Sequence, residues 1–184
     1  MNSILDLDAR LSSQMRVAEK PGALRAIAVF FAHSGDSWFW AIGLFAIWIS
    51  GDSFWKQWAI LQFASISLLV VVVLVIKFSI RRKRPEGEWG QIYRYTDPHS
   101  FPSGHAARAF LIATIATGLG PGWLAIALWV WAPLVALARV AMGLHYVSDI
   151  LAGTLLGILI ALISLQIYLP VFNWAFKLLG FSLW

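Results

Sequence analysis

Long apolar runs, separated by short polar breaks, dominate this chain. At a rise of about 1.5 Å per residue, a helix of about 20 apolar residues crosses the ~30 Å hydrocarbon core of a bilayer. The pattern therefore predicts five spanning helices, at residues 24–50, 57–80, 104–119, 123–141 and 145–170. We expect an all-α fold, an integral membrane helical bundle.

The two ends of the chain follow different patterns. Residues 3–19 mix apolar and charged positions as an amphipathic helix on a membrane surface does, the alternative being a frayed terminus. Residues 171–184 are too few to span, and we expect them at the interface. The first apolar run contains a polar patch, His33–Ser37. This patch either faces other helices or marks a break between an interfacial piece and a short span.

Composition supports the membrane interpretation and limits the partners. The 184 residues are 60% hydrophobic and 12% charged, against roughly 25% charged in soluble domains. One helical bundle fits this length, so we expect a single domain over residues 1–184. The net charge is +5, but the basic residues cluster at membrane edges. That placement indicates anionic lipid head groups as partners, and no nucleic acid. The absence of cysteine excludes disulfides and thiolate chemistry.

Three short polar islands lie at the edges of the apolar runs, within residues 77–149. They read Lys77-x6-Arg84-Pro85, Pro102-Ser103-Gly104-His105 and Arg139-x5-His145-x3-Asp149. The first ends a span, the second begins one, and the third joins two. All three are therefore expected on the same side of the membrane, where ionisable groups are expensive and tend to be functional.

The cations of the islands are suited to holding a phosphoryl group. Arg84 and Arg139 offer planar forks of donors, and Lys77 offers a point charge, as phosphoryl transfer requires. Lys77 and Arg84 are seven residues apart and would share a helix face if the helix continues to Pro85. The adjacent Arg81–Lys83 run is better interpreted as a membrane anchor.

The second island lies where a helix is expected to begin. Backbone N–H groups at a helix start bind anions, Ser103 can cap the helix or donate to phosphate, and Gly104 allows close approach. His105 follows in the first turn, where it can protonate a leaving oxygen. The plainer alternative is an ordinary capped helix, which needs no histidine.

His145 and Asp149 lie four residues apart and so share a helix face. A carboxylate on one imidazole nitrogen makes the other a better nucleophile, although a satisfied helix-end pair would look the same. A zinc site built from His105, His145, Asp149 and His99 is disfavoured because the nearby cations would repel a metal. We expect no metal and no other cofactor.

Other polar residues are assigned lesser roles. Glu88, Asp97 and His99 lie in the one long polar loop, residues 86–101, and are expected to shape substrate access. His33 and Asp36 are interpreted as a structural pair.

Together, the three islands resemble the signature of the type-2 phosphatidic acid phosphatase family, which includes lipid phosphate phosphatases and vanadium haloperoxidases. The resemblance implies that His145 is a nucleophile forming a phosphohistidine, oriented by Asp149, and that His105 protonates the leaving group. It implies that the phosphate is held, without metal, by Lys77, Arg84, Ser103, Gly104 and Arg139. One departure is Ala138, where the family usually has Ser or Thr, which puts one auxiliary phosphate contact in doubt.

The expected activity is hydrolysis of a phosphomonoester or pyrophosphate of a lipid. Candidate substrates are phosphatidic acid, phosphatidylglycerol phosphate, isoprenyl pyrophosphate and phosphorylated lipid A. A non-enzymatic, basic-rimmed lipid-binding scaffold would explain the cations but not the two histidines and the aspartate. A haloperoxidase would be soluble and larger.

Two indicators disagree on which side of the membrane the motifs face. Arg10, Arg16, Lys20 and Arg25 lie on the motif side, which by the positive-inside rule would be cytoplasmic. The family's bacterial members often face outward, so we expect a bacterial plasma-membrane protein with an extracytoplasmic site.

Overall fold

The computed structural model describes residues 2–86 and 97–179. Within these residues it contains α-helices and one isolated antiparallel bridge, between Lys83 and His99. The helices are α1 (Asn2–Gln14), α2 (Ala23–Ser34), α3 (Ser37–Ser50), α4 (Ser53–Ile80), α5 (Gly104–Leu119), α6 (Gly122–Ala141) and α7 (Val147–Leu179).

Helix α5 lies at the centre of the bundle. Every residue from 106 to 116 is buried, and the helix packs chiefly against α6 and α7. Gly153 and Gly157 of α7 face it: a Cβ at Gly153 would overlap the carbonyl of Ser103, and one at Gly157 the carbonyl of Ala107. Two glycines four residues apart on α7 thus allow the two helices to pack closely, and this contact brings two of the motif-bearing helices together.

The outward faces of the helices are apolar. Phe45, Val71, Val130 and Leu155 are each at least 59% exposed, the reverse of a soluble bundle. In the described part of the chain, three helices are long and apolar enough to cross a membrane: Ser53–Ile80, Gly122–Ala141 and Val147–Tyr168. The helical membrane fold is confirmed, and the count of five spans stays a prediction.

The first apolar run is not one continuous helix. It is divided into α2, which packs on α6, and α3, which packs on α4. Between them, the carbonyl oxygen of Gly35 accepts a hydrogen bond from the buried guanidinium of Arg108, and Asp36 pairs with His105. The polar patch thus marks a break, because polar groups on α5 bind the backbone and side chains of the connecting residues.

Two helix ends also differ from expectation. Helix α4 ends at Ile80, before Pro85, because Arg81 adopts the left-handed conformation with φ 54°. Lys77 and Arg84 therefore do not share a helix face. At the other end of the chain, α7 continues through Pro170 as far as Leu179, so part of the tail expected at the interface extends the last helix.

The N-terminal amphipathic pattern forms a helix, as predicted. Its inward face is polar: Asp8 and Ser12 are buried and contact the first residues of α7. Its outward face exposes Ile4 and Leu7. This inverted arrangement suits a helix whose apolar face meets lipid, and its place on the membrane surface stays a prediction.

Candidate active site

The ends of α4 and α6 and the beginnings of α5 and α7 meet at one end of the bundle. A cavity of about 160 Å³ lies there, lined by α4, the start of α3, the start of α5, the loop residue Asp97 and His145 in the turn before α7. Its polar lining includes Lys77, Asp97, His105 and His145, together with the backbone of Gly104. Residues from all three islands, separated by up to 68 positions between Lys77 and His145, thus reach one site.

His145 lies in the turn before α7 and is only 1% exposed. Its Nδ1 is 3.5 Å from Oδ2 of Asp149, and its Nε2 is 3.2 Å from Nη1 of Arg84. The same Asp149 oxygen accepts a 2.9 Å hydrogen bond from the Tyr146 amide. The carboxylate therefore lies beside one ring nitrogen, while the other ring nitrogen points to the cationic side of the site.

The protonation state of His145 follows from these surroundings. Burial, and then the positive charges of Arg84, Arg139 and Lys77, hold the pKa of the imidazole well below its ordinary value of 6.5. The ring is therefore neutral at neutral pH, which is the form that can act as a nucleophile.

The cations are fixed by short contacts. Arg84 donates to the Leu144 carbonyl at 2.8 Å and to the Asp97 backbone carbonyl at 2.7 Å. The Asp97 carboxylate lies between Arg84, at 2.8 Å, and the ammonium group of Lys77, at 2.5 Å. Thus one loop carboxylate binds two of the cations that the sequence assigned to phosphate.

Arg139, near the end of α6, is 1% exposed and lies 3.4 Å from the carbonyl oxygen of Ala32. Its neighbour Ala138 is buried in a small apolar cluster with Ala28, Ala32 and Met142. At position 138, where the family usually has Ser or Thr, the alanine methyl group therefore packs against α2.

The second island has divided roles. Ser103 is fully buried and caps α5, with Oγ 3.5 Å from the Ala106 amide, and its own N–H donates to the backbone oxygen of Asp149 at 3.0 Å. Its side chain does not line the cavity, whereas Gly104 and His105 do. Nε2 of His105 lies 2.7 Å from Oδ1 of Asp36.

Several residues at the site were missed or undervalued by sequence reasoning. Asp36 lies 3.2 Å from His33, as the predicted structural pair requires. It also contacts His105, so it belongs to the site. Arg108 lines the cavity, and Arg82 binds Asp149 at 2.7 Å although its run was interpreted as a membrane anchor. An ionisable residue inside an apolar run was the available signal for Asp36 and Arg108.

The polar loop contributes through Asp97, whose carboxylate contacts were described above, and through His99, whose backbone oxygen accepts from Lys77 at 3.0 Å. Glu88, also assigned to substrate access, lies outside the described residues. In residues 2–86 and 97–179, no group of three or more metal-ligating side chains is present.

Proteins of similar sequence occur in other organisms. The chain is 30% identical over 109 residues to a lipid A 1-phosphatase of Porphyromonas gingivalis, covering 58% of this chain and 23% of that protein. It is 36% identical over 111 residues to an undecaprenyl-diphosphatase of Sulfolobus acidocaldarius, covering 55% of this chain and 52% of that protein. The matched region thus covers about half the length of one of these curated relatives and about a quarter of the other.

The fold has a close counterpart among solved structures. A transmembrane PAP2-type phosphatidylglycerolphosphate phosphatase from Bacillus subtilis superposes with a TM-score of 0.75 at 24% identity, covering 93% of this chain and 89% of that one. This likeness shows the fold. The sequence profile described as the PAP2 superfamily matches residues 58–172, more than half of the chain, and the protein therefore belongs to the PAP2 superfamily.

Proposed function

We propose that this protein is a phosphatase of lipid phosphates that works through a phosphohistidine on His145. The observation that carries the proposal is the cavity in which two histidines and Lys77 converge, with Arg84 buried beside His145. This set can bind a phosphoryl group, attack it and protonate the group that leaves. A scaffold that only binds lipid needs none of the histidine geometry.

The reaction follows from the orientation of His145. Nε2, on the side away from Asp149, attacks phosphorus, and the bond from phosphorus to the lipid oxygen breaks. The leaving oxygen takes a proton from His105, whose ring is oriented by Asp36. A water molecule then attacks the phosphohistidine, His105 accepts its proton, and inorganic phosphate leaves with His145 restored.

Charge stabilisation is assigned to the cations around the cavity. Lys77 and Arg84 bind the phosphoryl oxygens directly, and the buried charge of Arg139 adds to the positive potential. The backbone of Gly104 approaches the phosphate at the start of α5, and Ser103 holds that helix start in place. In this proposal the cationic cluster supplies the electrostatic stabilisation that a metal ion gives other phosphatases.

The surroundings of the cavity favour a lipid over a soluble phosphate. Ser37 and Val70 line both this cavity and an adjoining one of about 290 Å³ between α3 and α4. That second cavity shares Leu44 and Phe63 with a third, of about 250 Å³, which is almost wholly apolar. We name this series the α3–α4 groove. It can hold an acyl or isoprenyl chain while the phosphate lies at His145.

The candidate substrates carry a phosphate or diphosphate on a long apolar chain. The names of two relatives and of the structural neighbour indicate three test substrates: lipid A 1-phosphate, undecaprenyl diphosphate and phosphatidylglycerol phosphate. Phosphatidic acid is the fourth. Purified protein is to be assayed on all four for phosphate release, with EDTA and with orthovanadate, alongside His145→Ala.

We expect release from at least one lipid in EDTA, inhibition by vanadate as a transition-state mimic, and no turnover by His145→Ala. Loss of activity on chelation that a divalent ion restores would overturn the metal-free mechanism. Absence of release from every lipid, or full activity in His145→Ala, would overturn the proposed function.

We propose that the protein lies in a bacterial plasma membrane as a single domain, with the site on the extracytoplasmic face. The chain contains no cysteine, so a single introduced thiol reports its side without background. Lys83→Cys lies at the site end and Ser50→Cys at the opposite end, and both side chains are exposed. A membrane-impermeant maleimide should label only Lys83→Cys in intact cells. Labelling of Ser50→Cys alone would reverse the orientation.

A further inference from the structure

The carboxylate of Asp149, proposed above to orient His145, is bound by Arg82, which is not one of the cations assigned to phosphate. Arg82 follows α4 and reaches across to α7, where its Nη1 lies 2.7 Å from Oδ1 of Asp149. Its Nη2 lies 2.7 Å from Oδ2 of Asp8, on α1. One guanidinium thus joins the N-terminal helix to the residue that orients His145.

The two oxygens of Asp149 have separate partners. Oδ2 accepts from the Tyr146 amide and lies beside Nδ1 of His145, while Oδ1 binds Arg82. The Asp149 side chain is wholly buried, so a lost cationic partner would leave a buried carboxylate without charge compensation. Such a group protonates or rotates, and either change alters the contact with His145.

The position of Arg82 is in turn fixed from α1 and from the start of α7. Asp8 accepts hydrogen bonds from the amide and hydroxyl of Ser148, whose hydroxyl oxygen also lies 2.6 Å from Arg82. The guanidinium stacks over the Tyr146 ring at 4.0 Å. Burial alone would raise the pKa of Asp8, but the hydrogen bonds from Ser148 and Arg82 outweigh it and lower that pKa. Asp8 is therefore charged at neutral pH.

We propose that Arg82 and Asp8 are positioning residues for Asp149 and, through it, for His145. The amphipathic helix α1 is then part of the catalytic apparatus as well as a contact with the membrane. This inference rests on the proposed function, since it takes His145 as the reacting group.

The kinetic test compares Arg82→Gln and Asp8→Asn with neighbours that lose the same charge. Lys83→Gln and Asp6→Asn are the matched controls, because both side chains are exposed on the same segments. We expect Arg82→Gln to lower kcat about 10–100-fold with KM little changed, by analogy with the loss of activity when the hydrogen-bond partner behind a metal-bound imidazole is removed. Arg82→Lys should recover part of that loss, and both controls should match the unchanged protein.

Asp8→Asn keeps the shape of the side chain and one oxygen that can accept from the Ser148 amide, but it removes the negative charge and the second oxygen, which accepts from Arg82. Its kcat should fall about 2–10-fold, the range for the net contribution of one ordinary intramolecular hydrogen bond. Because both residues act through one chain of contacts, the double variant Asp8→Asn with Arg82→Gln should be no slower than Arg82→Gln. Full additivity, or a rise in KM alone, would overturn the positioning role.

A second readout does not require activity. The ring nitrogens of His145, assigned in ¹⁵N-histidine spectra by their loss in His145→Asn, should shift in Arg82→Gln and Asp8→Asn and stay in place in Lys83→Gln. Unchanged signals in Arg82→Gln would refute the inference. If the unmodified protein hydrolyses no lipid phosphate, the proposed function fails, and these spectra still decide whether Arg82 positions His145.

Discussion

Asp97→Asn should tighten the binding of anions at the site. The Asp97 carboxylate contacts both Lys77 and Arg84, so a phosphate that binds these cations must displace it. The Asp97 side chain is 40% exposed, and solvent-screened ion pairs contribute about 0.2–1 kcal/mol each. Two such pairs correspond to about 0.4–2 kcal/mol, or about 2–30-fold in affinity. The backbone oxygen that anchors Arg84 is unaffected by the substitution.

The assay is inhibition by orthovanadate and by inorganic phosphate, measured as inhibition constants for the unmodified protein, Asp97→Asn and Glu86→Gln. Glu86 is exposed near the site and loses the same charge without a side-chain contact to Lys77 or Arg84. Asp97→Asn should lower both constants, and Glu86→Gln should leave them near their original values. Weaker inhibition of Asp97→Asn would show instead that the carboxylate preorganises the cations, and would refute the competition argued here.

Three further predictions concern packing, protonation and the leaving group. Gly157→Ala should lower the free energy of unfolding in detergent by about 1–3 kcal/mol, because its methyl group meets the Ala107 carbonyl. Gly43→Ala is the control, since that position faces open space and should lose no stability; equal losses in thermal unfolding would refute the packing argument. The pKa of His145 lies below 6.5, so its ¹⁵N spectrum should show a neutral ring at pH 6.5 and protonation only on further acidification; a charged ring at pH 7 would contradict this. His105→Ala should slow lipid hydrolysis about 10²–10⁴-fold but an aryl phosphate far less, since a good leaving group needs little protonation; equal losses on both substrates would exclude the general-acid role.

The membrane bundle and the convergence of the islands were predictable because both follow from short-range pattern. Apolar runs of spanning length give the helices, and their alternation places Lys77, His105 and His145 at one end. Gly153 and Gly157 lie four residues apart on one helix face, a spacing that indicates close packing with a neighbouring helix, and the structure identifies that neighbour as α5.

The contacts that complete the site were not predictable from spacing. Asp36 lies 69 positions from His105, and Asp8 lies 74 positions from Arg82, so only the folded bundle brings each pair together. The break at Gly35 depends on Arg108 of a different helix. Helix α4 ends where Arg81 adopts the left-handed backbone conformation. Arginine rarely adopts this conformation, and the sequence around it does not predict it.

The α3–α4 groove changes the work needed to deliver a lipid to the site. Drawing a hydrocarbon chain from a bilayer into water costs about 0.8 kcal/mol per CH₂, or about 13 kcal/mol for a chain of 16 carbons. A chain that moves sideways from the bilayer into the groove exchanges one apolar environment for another and avoids most of this work. A lipid substrate then reaches His145 by lateral diffusion, with its phosphate turning into the site while its tail remains among apolar groups.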